Sequence, residues 1–258
     1  MYINAILIRY SLNVDSETNN LNSCLTIMCK RLSRQNILSI FAVLIAVLTI
    51  LTGRIAADDR FGKFFIARLK YDGGGDWYSD PSSLPNLLEY VAANTPVAVS
   101  LEESRVSVMD KELFSYPYLY MTGHGNIRFA EEEVLRLRQY FQAGGFLHAD
   151  DNYGMDKSFR REMKRVFPDH EIVELPFSHP IYHCFFDFPD GLPKIHEHDN
   201  KAPQGFGIFY NNRLVVFYSY ESDLGDGWED PDVHNDPIEK HESALKMGAN
   251  IIIYSLSP

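Results

Sequence analysis

Hydrophobic and polar positions alternate with two different periods along residues 64–258, and this alternation predicts the secondary structure. Short apolar runs bounded by glycine or polar residues are typical of buried strands, whereas apolar residues three and four apart mark one face of a helix. Strands are predicted at 64–71, 97–101, 106–108, 118–122, 146–149 and 171–175. Helices are predicted at 80–93 or 83–93, 130–142, 156–166 and 239–249.

A hairpin is predicted near the C-terminus, because residues 206–210 and 214–219 flank the turn-forming pair Asn211–Asn212. The β-α-β-α order of the remaining elements predicts a mostly parallel sheet with helices on both faces, which is a three-layer α/β sandwich. No repeat or low-complexity linker divides residues 58–258. We therefore expect one domain over that range.

An uncharged apolar segment, residues 37–52, precedes this domain. Basic residues lie before it and the small pair Ala56–Ala57 follows it, which is the order found in secretory signal peptides. As a helix, the segment would be about 24 Å long at about 1.5 Å per residue, short of a hydrocarbon core of about 30 Å. We expect residues 28–57 to form a cleaved signal peptide. The alternative is an uncleaved N-terminal anchor, which would also place the domain outside the cytoplasm.

Residues 1–27 do not fit a signal peptide, which rarely begins with so long an extension. Translation from Met28 would instead give a compact basic region directly before the apolar segment. The sequence thus predicts an upstream extension at 1–27, a true start at Met28 and an extracytoplasmic domain, periplasmic or secreted.

The charge distribution excludes one large class of partners. The chain has a net charge of -11, and its hydrophobic fraction of 45% is sufficient for a folded core. Residues 1–57 have more basic than acidic side chains, so the domain that follows is more acidic than the whole chain. Such a domain repels phosphate backbones and anionic lipid. We expect no nucleic-acid partner, and membrane contact only through an uncleaved N-terminal segment.

Four stretches of sequence occur in an order that resembles a known family. They are YLYMTGHG at 118–125, LRLRQYFQAGGFLHADD at 135–151, SHPIYHCFFDFPDGLPKIHEHD at 178–199 and DLGDGWED at 223–230. Together they resemble a bacterial domain of unknown function, family 4159, over residues 63–258. The resemblance implies a flavodoxin-like sheet of the class I glutamine amidotransferase-like type. It implies no established activity.

The resemblance also indicates which catalytic residue of an amidotransferase this chain lacks. An amidotransferase needs a nucleophilic cysteine on a sharp turn after a strand. The resemblance places that turn after strand 146–149, where this chain has Asp150 and Asp151. Cys184 lies elsewhere and is expected to be a small buried residue rather than a reactive thiol. No G-x-S-x-G, P-loop or G-x-G-x-x-G pattern is present, so neither glutaminase nor serine-hydrolase activity is expected.

Ligand-binding residues are expected at the carboxyl ends of the parallel strands, where open α/β sheets bind their ligands. Polar clusters follow three strands there, at 72–78, 123–125 and 150–151, and the segment 223–230 is predicted to be an acidic loop. The candidates are Trp77, Gly123, His124, Gly125, Asp150, Asp151, Asp226 and Trp228. The alternatives are plain tight turns for the glycines, a helix cap or solvated turn for Asp150 and Asp151, and a Trp228 side chain folded onto the core.

Histidines that could bind a metal are dense in one stretch of the chain. His196 and His198 would lie on one face of an extended segment, as a chelating pair requires. His179 and His183 would meet similarly if Pro180 opens a helical turn. The spacing matches no standard zinc or EF-hand pattern, so the alternative is a set of ordinary hydrogen-bonding histidines. Further ligands are available among Asp223, Asp226, Glu229, Asp230 and His234.

Two functions remain open from the sequence. The first is a non-catalytic module that binds an envelope protein or a small polar ligand and lacks the amidotransferase nucleophile. The second is a metal-dependent hydrolase that uses the histidine and aspartate clusters, with a divalent metal as its cofactor.

Overall fold

The computed structural model of the protein describes residues 62–257, which belong to one compact unit, Asp59–Pro258. The predicted extension at 1–27, the signal peptide at 28–57 and its apolar segment at 37–52 lie outside the described residues. Within 62–257, no helix combines the length and the apolar composition that crossing a bilayer requires.

Seven strands form one mixed sheet in the described part of the chain, in the order β2-β1-β3-β4-β7-β6-β5. The pairs β1–β2, β1–β3, β3–β4 and β4–β7 are parallel, whereas β5–β6 and β6–β7 are antiparallel. The strands are β1 Ile66–Lys70, β2 Ser104–Ser107, β3 Tyr118–Met121, β4 Phe146–Asp150, β5 Val173–Glu174, β6 Gln204–Tyr210 and β7 Arg213–Tyr220.

Helices cover both faces of this sheet. They are α1 Ser83–Asn94, α2 Glu131–Gln142, α3 Asp156–Val166, α4 Leu224–Trp228, α5 Pro231–His234 and α6 Ile238–Ser255, with short 3-10 turns at Lys111–Ser115 and Pro180–Tyr182. One apolar core contains side chains of α2 and α3, and the other contains side chains of α1, α4 and α6. The predicted three-layer α/β architecture is therefore confirmed.

The alternation of apolar side chains explains how the sheet separates its two cores. Leu119 and Met121 of β3 lie in the core with α2 and α3, while Tyr118 and Tyr120 lie in the core with α1 and α6. Successive residues of a strand face opposite sides, so a strand buried on both faces is apolar throughout. The predicted C-terminal hairpin is also confirmed, with Asn211 and Asn212 at positive φ in its turn.

Three predicted elements differ from the structure. The strand predicted at 97–101 is only an isolated bridge between Val99 and Phe64. The segment exchanges backbone hydrogen bonds with Phe64, two residues before β1 begins. The closing helix extends to Ser255, since its isoleucines pack into the core as helix residues. The predicted acidic loop at 223–230 contains helix α4, whose Leu224 and Trp228 lie one turn apart and are both buried.

Candidate functional site

Three polar clusters predicted from the sequence meet at the carboxyl edge of the parallel strands. Thr122, directly after β3, donates its hydroxyl to Asn152 Oδ1 at 2.8 Å, two residues after β4. Tyr71, directly after β1, donates its hydroxyl to the backbone carbonyl of Thr122 at 2.9 Å. The loops that follow β1, β3 and β4 are therefore tied to one another.

The turn Gly123–His124–Gly125 packs tightly against the loop that follows β1. Gly123 has φ of +136°, and a Cβ atom there would lie against the Tyr71 hydroxyl and 2.9 Å from the carbonyl oxygen of Asp76. His124 donates its backbone N–H to the Asp76 carboxylate, and its Nδ1 lies 3.1 Å from the same group. The space beside Gly123 is thus filled by protein, as in the tight-turn alternative, whereas a Cβ atom at Gly125 would meet only Gly75 Cα at 3.9 Å.

The two tryptophans differ in their access to a ligand. Trp77 is half-buried beside Lys70, whose Nζ lies 5.6 Å from the ring centroid. Trp228 is wholly buried and donates its indole N–H to the carbonyl of Ala244 at 2.8 Å. The expectation that Trp228 stacks on a ligand is wrong, because α4 turns its side chain into the core against Tyr120 and His148.

Asp150 and Asp151 have different roles. Asp150 is completely buried and accepts hydrogen bonds from the Ser219 hydroxyl and from the Gly225 N–H, the latter at 2.6 Å. Burial raises the pKa of Asp150 well above its usual range. Asp151 Oδ1 accepts the backbone N–H groups of Tyr153 and Met155 at 3.1 and 2.9 Å, directly before α3. Asp151 thus orders the start of α3, and Asp150 holds α4 against the sheet.

The structure brings three potential metal ligands together beside α4. Among residues 62–257, the only set of three or more histidine, cysteine or acidic ligand atoms within 4.8 Å of one another belongs to His196, Asp226 and His234. Asp226 Oδ2 lies 3.0 Å from His196 Nδ1 and 3.8 Å from His234 Nε2. All three side chains are partly exposed to solvent. The three residues come from the long β5–β6 connection, α4 and α5.

Further carboxylates surround this set. Asp236 Oδ2 lies 3.0 Å from His196 Nε2, and Glu229 Oε2 lies 3.1 Å from His234 Nε2. Asp223 Oδ2 lies 3.5 Å from His196 Nδ1 and also contacts His198 Nε2. The histidines therefore face an excess of negative charge.

The electrostatics of this cluster favour positive charge. The carboxylates of Asp223 and Asp226 raise the pKa of His196 to about 10, so its imidazole is protonated at neutral pH unless another cation takes the proton's place. Burial and the charge of Asp226 raise the pKa of Asp80 to about 7. Asn152 donates to both carboxylates, to Asp80 Oδ2 at 2.6 Å and to Asp226 Oδ1 at 3.2 Å.

Backbone strain is concentrated at the same edge of the sheet. Asp80, Tyr153, Glu221 and Asp223 all have positive φ, with values of 54°, 115°, 56° and 58°. Such conformations are unfavourable for most residues with a Cβ, least so for aspartate, and they recur at active sites and ligand clamps. The Tyr153 ring stacks on His198, with ring centroids 4.8 Å apart and an interplanar angle of 25°.

Two predicted metal-binding histidines belong to other surroundings. His179 accepts the backbone N–H of Ile181 and packs against Tyr254, and burial lowers its pKa. His183 pairs with Asp187 at 2.5 Å, and this contact raises its pKa. Pro180 does open a 3-10 turn, but the two histidines have different partners on either side of it.

Asp80, Asn152 and Asp236 were not predicted as part of the site. Asp80 and Asp236 each precede a proline, a pattern that indicates only a turn or helix start. Their side chains reach the site through contacts between residues far apart in the chain, Asp80 with Asn152 and Asp236 with His196. No local periodicity signals such contacts.

Cys184, the cysteine after the N-terminal segment, is not activated. Its Sγ donates to the carbonyl of Asn250 at 3.3 Å, and burial raises its pKa to about 11. A thiol with this pKa remains protonated at neutral pH and is a poor nucleophile.

The comparisons with known proteins give a family and no activity. The model of a family described as a domain of unknown function (DUF4159) matches residues 65–256. A comparison with curated proteins finds no match. The family resemblance noted in the sequence is thereby confirmed, and the chemistry must be inferred from the site.

Proposed function

We propose that this protein, which belongs to the DUF4159 family, binds a divalent metal ion through His196, Asp226 and His234. The bound ion would in turn hold a small polar ligand or a side chain of an envelope partner. The convergence of two imidazoles and one carboxylate from three separate elements is the observation that supports this function.

The ligand set suits a first-row transition metal. Imidazole and carboxylate groups together bind zinc, manganese or iron, and three protein ligands leave coordination positions open. Asp236 would orient the His196 ring through its other nitrogen, as carboxylates commonly do for metal-bound histidines. Glu229 lies beside His234 and is available for the same role or as a further ligand.

A metal ion would also compensate the charge of the site. Asp223, Asp226, Asp236 and Glu229 all contact the histidines, and Asp223 and Glu229 are buried. Buried carboxylates without a counter-charge are costly. In the absence of metal, a proton on His196 supplies part of this charge, so metal and proton compete for this imidazole.

We further infer that the domain has a class I glutamine amidotransferase-like fold without amidotransferase chemistry. The parallel strands run in the order β2-β1-β3-β4-β7, which corresponds to the flavodoxin-like order 2-1-3-4-5. Buried Asp150 ends the strand where the resemblance implies a nucleophile, and Cys184 keeps a protonated thiol. These observations favour a binding module over a glutaminase.

We also propose that the domain works outside the cytoplasm, released or anchored by residues 37–52. The support is the order of charge, apolar segment and small residues in the sequence. The acidic domain would then meet metal ions in the periplasm or the external medium.

Calorimetric titration of the untagged, metal-stripped protein with Zn²⁺ tests the metal site. We expect binding by the wild type and a loss of at least about tenfold in affinity for Asp226→Asn and for the double variant His196→Ala, His234→Ala. The first replaces a charged carboxylate ligand with a neutral amide, and the second removes two imidazole ligands. His183→Ala is the matched control, since it removes a histidine that pairs with an aspartate away from the site. Equal affinity in all four proteins would contradict the proposal.

A metal-dependent hydrolase is the second candidate, and the position of Asp80 favours it. A metal ion at the site would supply a water of lowered pKa. The Asp80 carboxyl is linked through Asn152 to the metal ligand Asp226 and is placed to accept a proton. Chromogenic ester, amide and phosphodiester substrates, assayed with Zn²⁺ and with chelator, test this candidate. Hydrolysis that requires metal and is lost in Asp226→Asn would favour the enzyme over the binding module.

A further inference from the structure

Asp223 lies between the two histidines of the His196-x-His198 pair. Its Oδ2 is 3.5 Å from His196 Nδ1, on the side of the three-ligand set, and also contacts His198 Nε2. His196 and His198 are two residues apart, so both rings can reach the same carboxylate. His198 does not belong to the set formed by His196, Asp226 and His234.

The second oxygen of Asp223 lacks a partner. Asp223 is completely buried, and its Oδ1 has no hydrogen-bond donor in the structure. A buried carboxylate oxygen without a hydrogen-bond donor is destabilising. Asp223 also has a left-handed backbone with φ of 58°. One oxygen of this buried carboxylate is therefore held by His196 and His198, and the other has no donor.

The ring of His198 is held in place independently of Asp223. Tyr153 stacks on it, and the Tyr153 hydroxyl lies 3.2 Å from Asp199 Oδ1. His198 retains about a fifth of its side chain exposed, at 22%, so water or a ligand can reach it. The imidazole thus faces Asp223 and keeps part of its surface exposed to solvent.

We propose that the site binds two divalent cations, with Asp223 as the bridging carboxylate. One cation is held by His196, Asp226 and His234, and the second by His198 and Asp223 together with water. This inference rests on the proposed metal-binding function and extends it. In two-metal sites the ions lie about 3.5–4 Å apart, a spacing that a carboxylate spans with its two oxygens.

Charge compensation supports a second cation. Asp223, Asp226, Asp236 and Glu229 provide four carboxylates around the histidines, more negative charge than one divalent ion neutralises. A pair of cations is suited to hold a carboxylate, a phosphate or a bridging hydroxide. With both cations bound, the acidic edge of the sheet would bind anionic or oxygen-rich ligands that it otherwise repels.

Metal analysis of the untagged protein, equilibrated with excess Zn²⁺ and then desalted, tests this proposal by stoichiometry. We expect two ions per chain for the wild type and for the control His183→Ala, and one ion for His198→Ala and for Asp223→Asn. One ion in the wild type would overturn the bridged pair and leave the proposed function intact. No ion in the wild type would overturn both.

Electron paramagnetic resonance with Mn²⁺ tests the bridge itself, since it reports the interaction between two ions. The wild type loaded with two Mn²⁺ should give an exchange-coupled spectrum, and His198→Ala should give the spectrum of an isolated ion. Two uncoupled ions in the wild type would overturn the bridging role of Asp223. Circular dichroism of each variant checks that it folds. If Asp223→Asn does not fold, His198→Ala alone tests the second cation, because His198 is partly exposed and its replacement should be tolerated.

Discussion

At the scale of single residues, His196 is the centre of the site. Its two ring nitrogens lie 3.0 Å from Asp226 Oδ2 and 3.0 Å from Asp236 Oδ2. In the metal-free protein the protonated ring acts as the cation between these carboxylates, and the raised pKa of His196 expresses this stabilisation. A metal ion at the same place must displace a proton, so metal affinity increases with pH.

This pairing predicts a pH dependence for the stability of the metal-free protein. His196 has a pKa of about 10 when folded and of about 6.5 when unfolded, so the folded state binds the extra proton between these values. Its contribution to stability is full below about pH 6.5 and is lost as the pH rises through about 10. Urea unfolding in chelator at pH 6 and pH 10 should show a smaller loss of stability for His196→Gln than for the wild type. An identical loss in both proteins would refute this role.

The sequence predicted the residue types of the site better than their partners. His196, His198, Asp223 and Asp226 were all candidates, because histidine pairs and acidic clusters are visible in the chain itself. Which carboxylate faces which imidazole depends on packing between elements that the sequence does not encode locally. Asp80 was missed for this reason, since its partner Asn152 follows another strand.

At the scale of elements, helix α4 links the core to the site. Its Leu224 and Trp228 face the core, whereas Asp226 between them faces the histidines. Gly225 allows the close approach of α4 to the strand ends, because a Cβ atom there would lie 2.6 Å from the Tyr120 hydroxyl and 2.9 Å from Asp80 Oδ2. The length of α4 is one turn, so its position depends on these contacts rather than on helix propensity.

Gly225→Ala is therefore expected to weaken metal binding without removing a ligand. The added methyl group would clash with the buried side-chain ends of Tyr120 and Asp80, at a cost of about 1–3 kcal/mol in stability. We expect α4 to shift away from them and to carry Asp226 with it. Zn²⁺ titration measures the effect on affinity, and urea unfolding measures the effect on stability. Gly144→Ala is the control. Gly144 lies in the turn between α2 and β4 with φ of +108°, which is strained for alanine, so this variant should lose stability but retain Zn²⁺ affinity. Unchanged Zn²⁺ affinity in Gly225→Ala would show that α4 does not position Asp226.

Helices and strands with one apolar face are predictable from the sequence, whereas the course of the long connection between β5 and β6 is not. Helix 156–166 was predicted with the bounds that the structure shows, and its Phe159, Met163 and Val166 form a buried face. Residues 175–203 join β5 to β6 with only one short 3-10 turn. The course of such a segment is set by individual contacts, such as that of His196 with Asp236, rather than by a repeating pattern.

At the scale of the whole molecule, an acidic α/β domain follows a segment with the features of an export signal. The proposed export and the proposed metal binding are consistent with each other, because an exported protein would take its metal from the medium. Expression from the full coding sequence, followed by intact-mass measurement of the released protein, tests the N-terminal part of this account. A mature chain that begins at Asp58 is expected if cleavage follows Ala57. A full-length protein recovered from the cytoplasm would contradict it.

Anomalous X-ray diffraction at the zinc edge, from crystals of the untagged protein grown with Zn²⁺, tests the central claim most directly. The metal-site account predicts a peak within about 2.0–2.2 Å of ligand atoms of His196, Asp226 and His234. A site that remains empty at saturating Zn²⁺, with peaks only at surface pairs such as His183 and Asp187, would contradict the account.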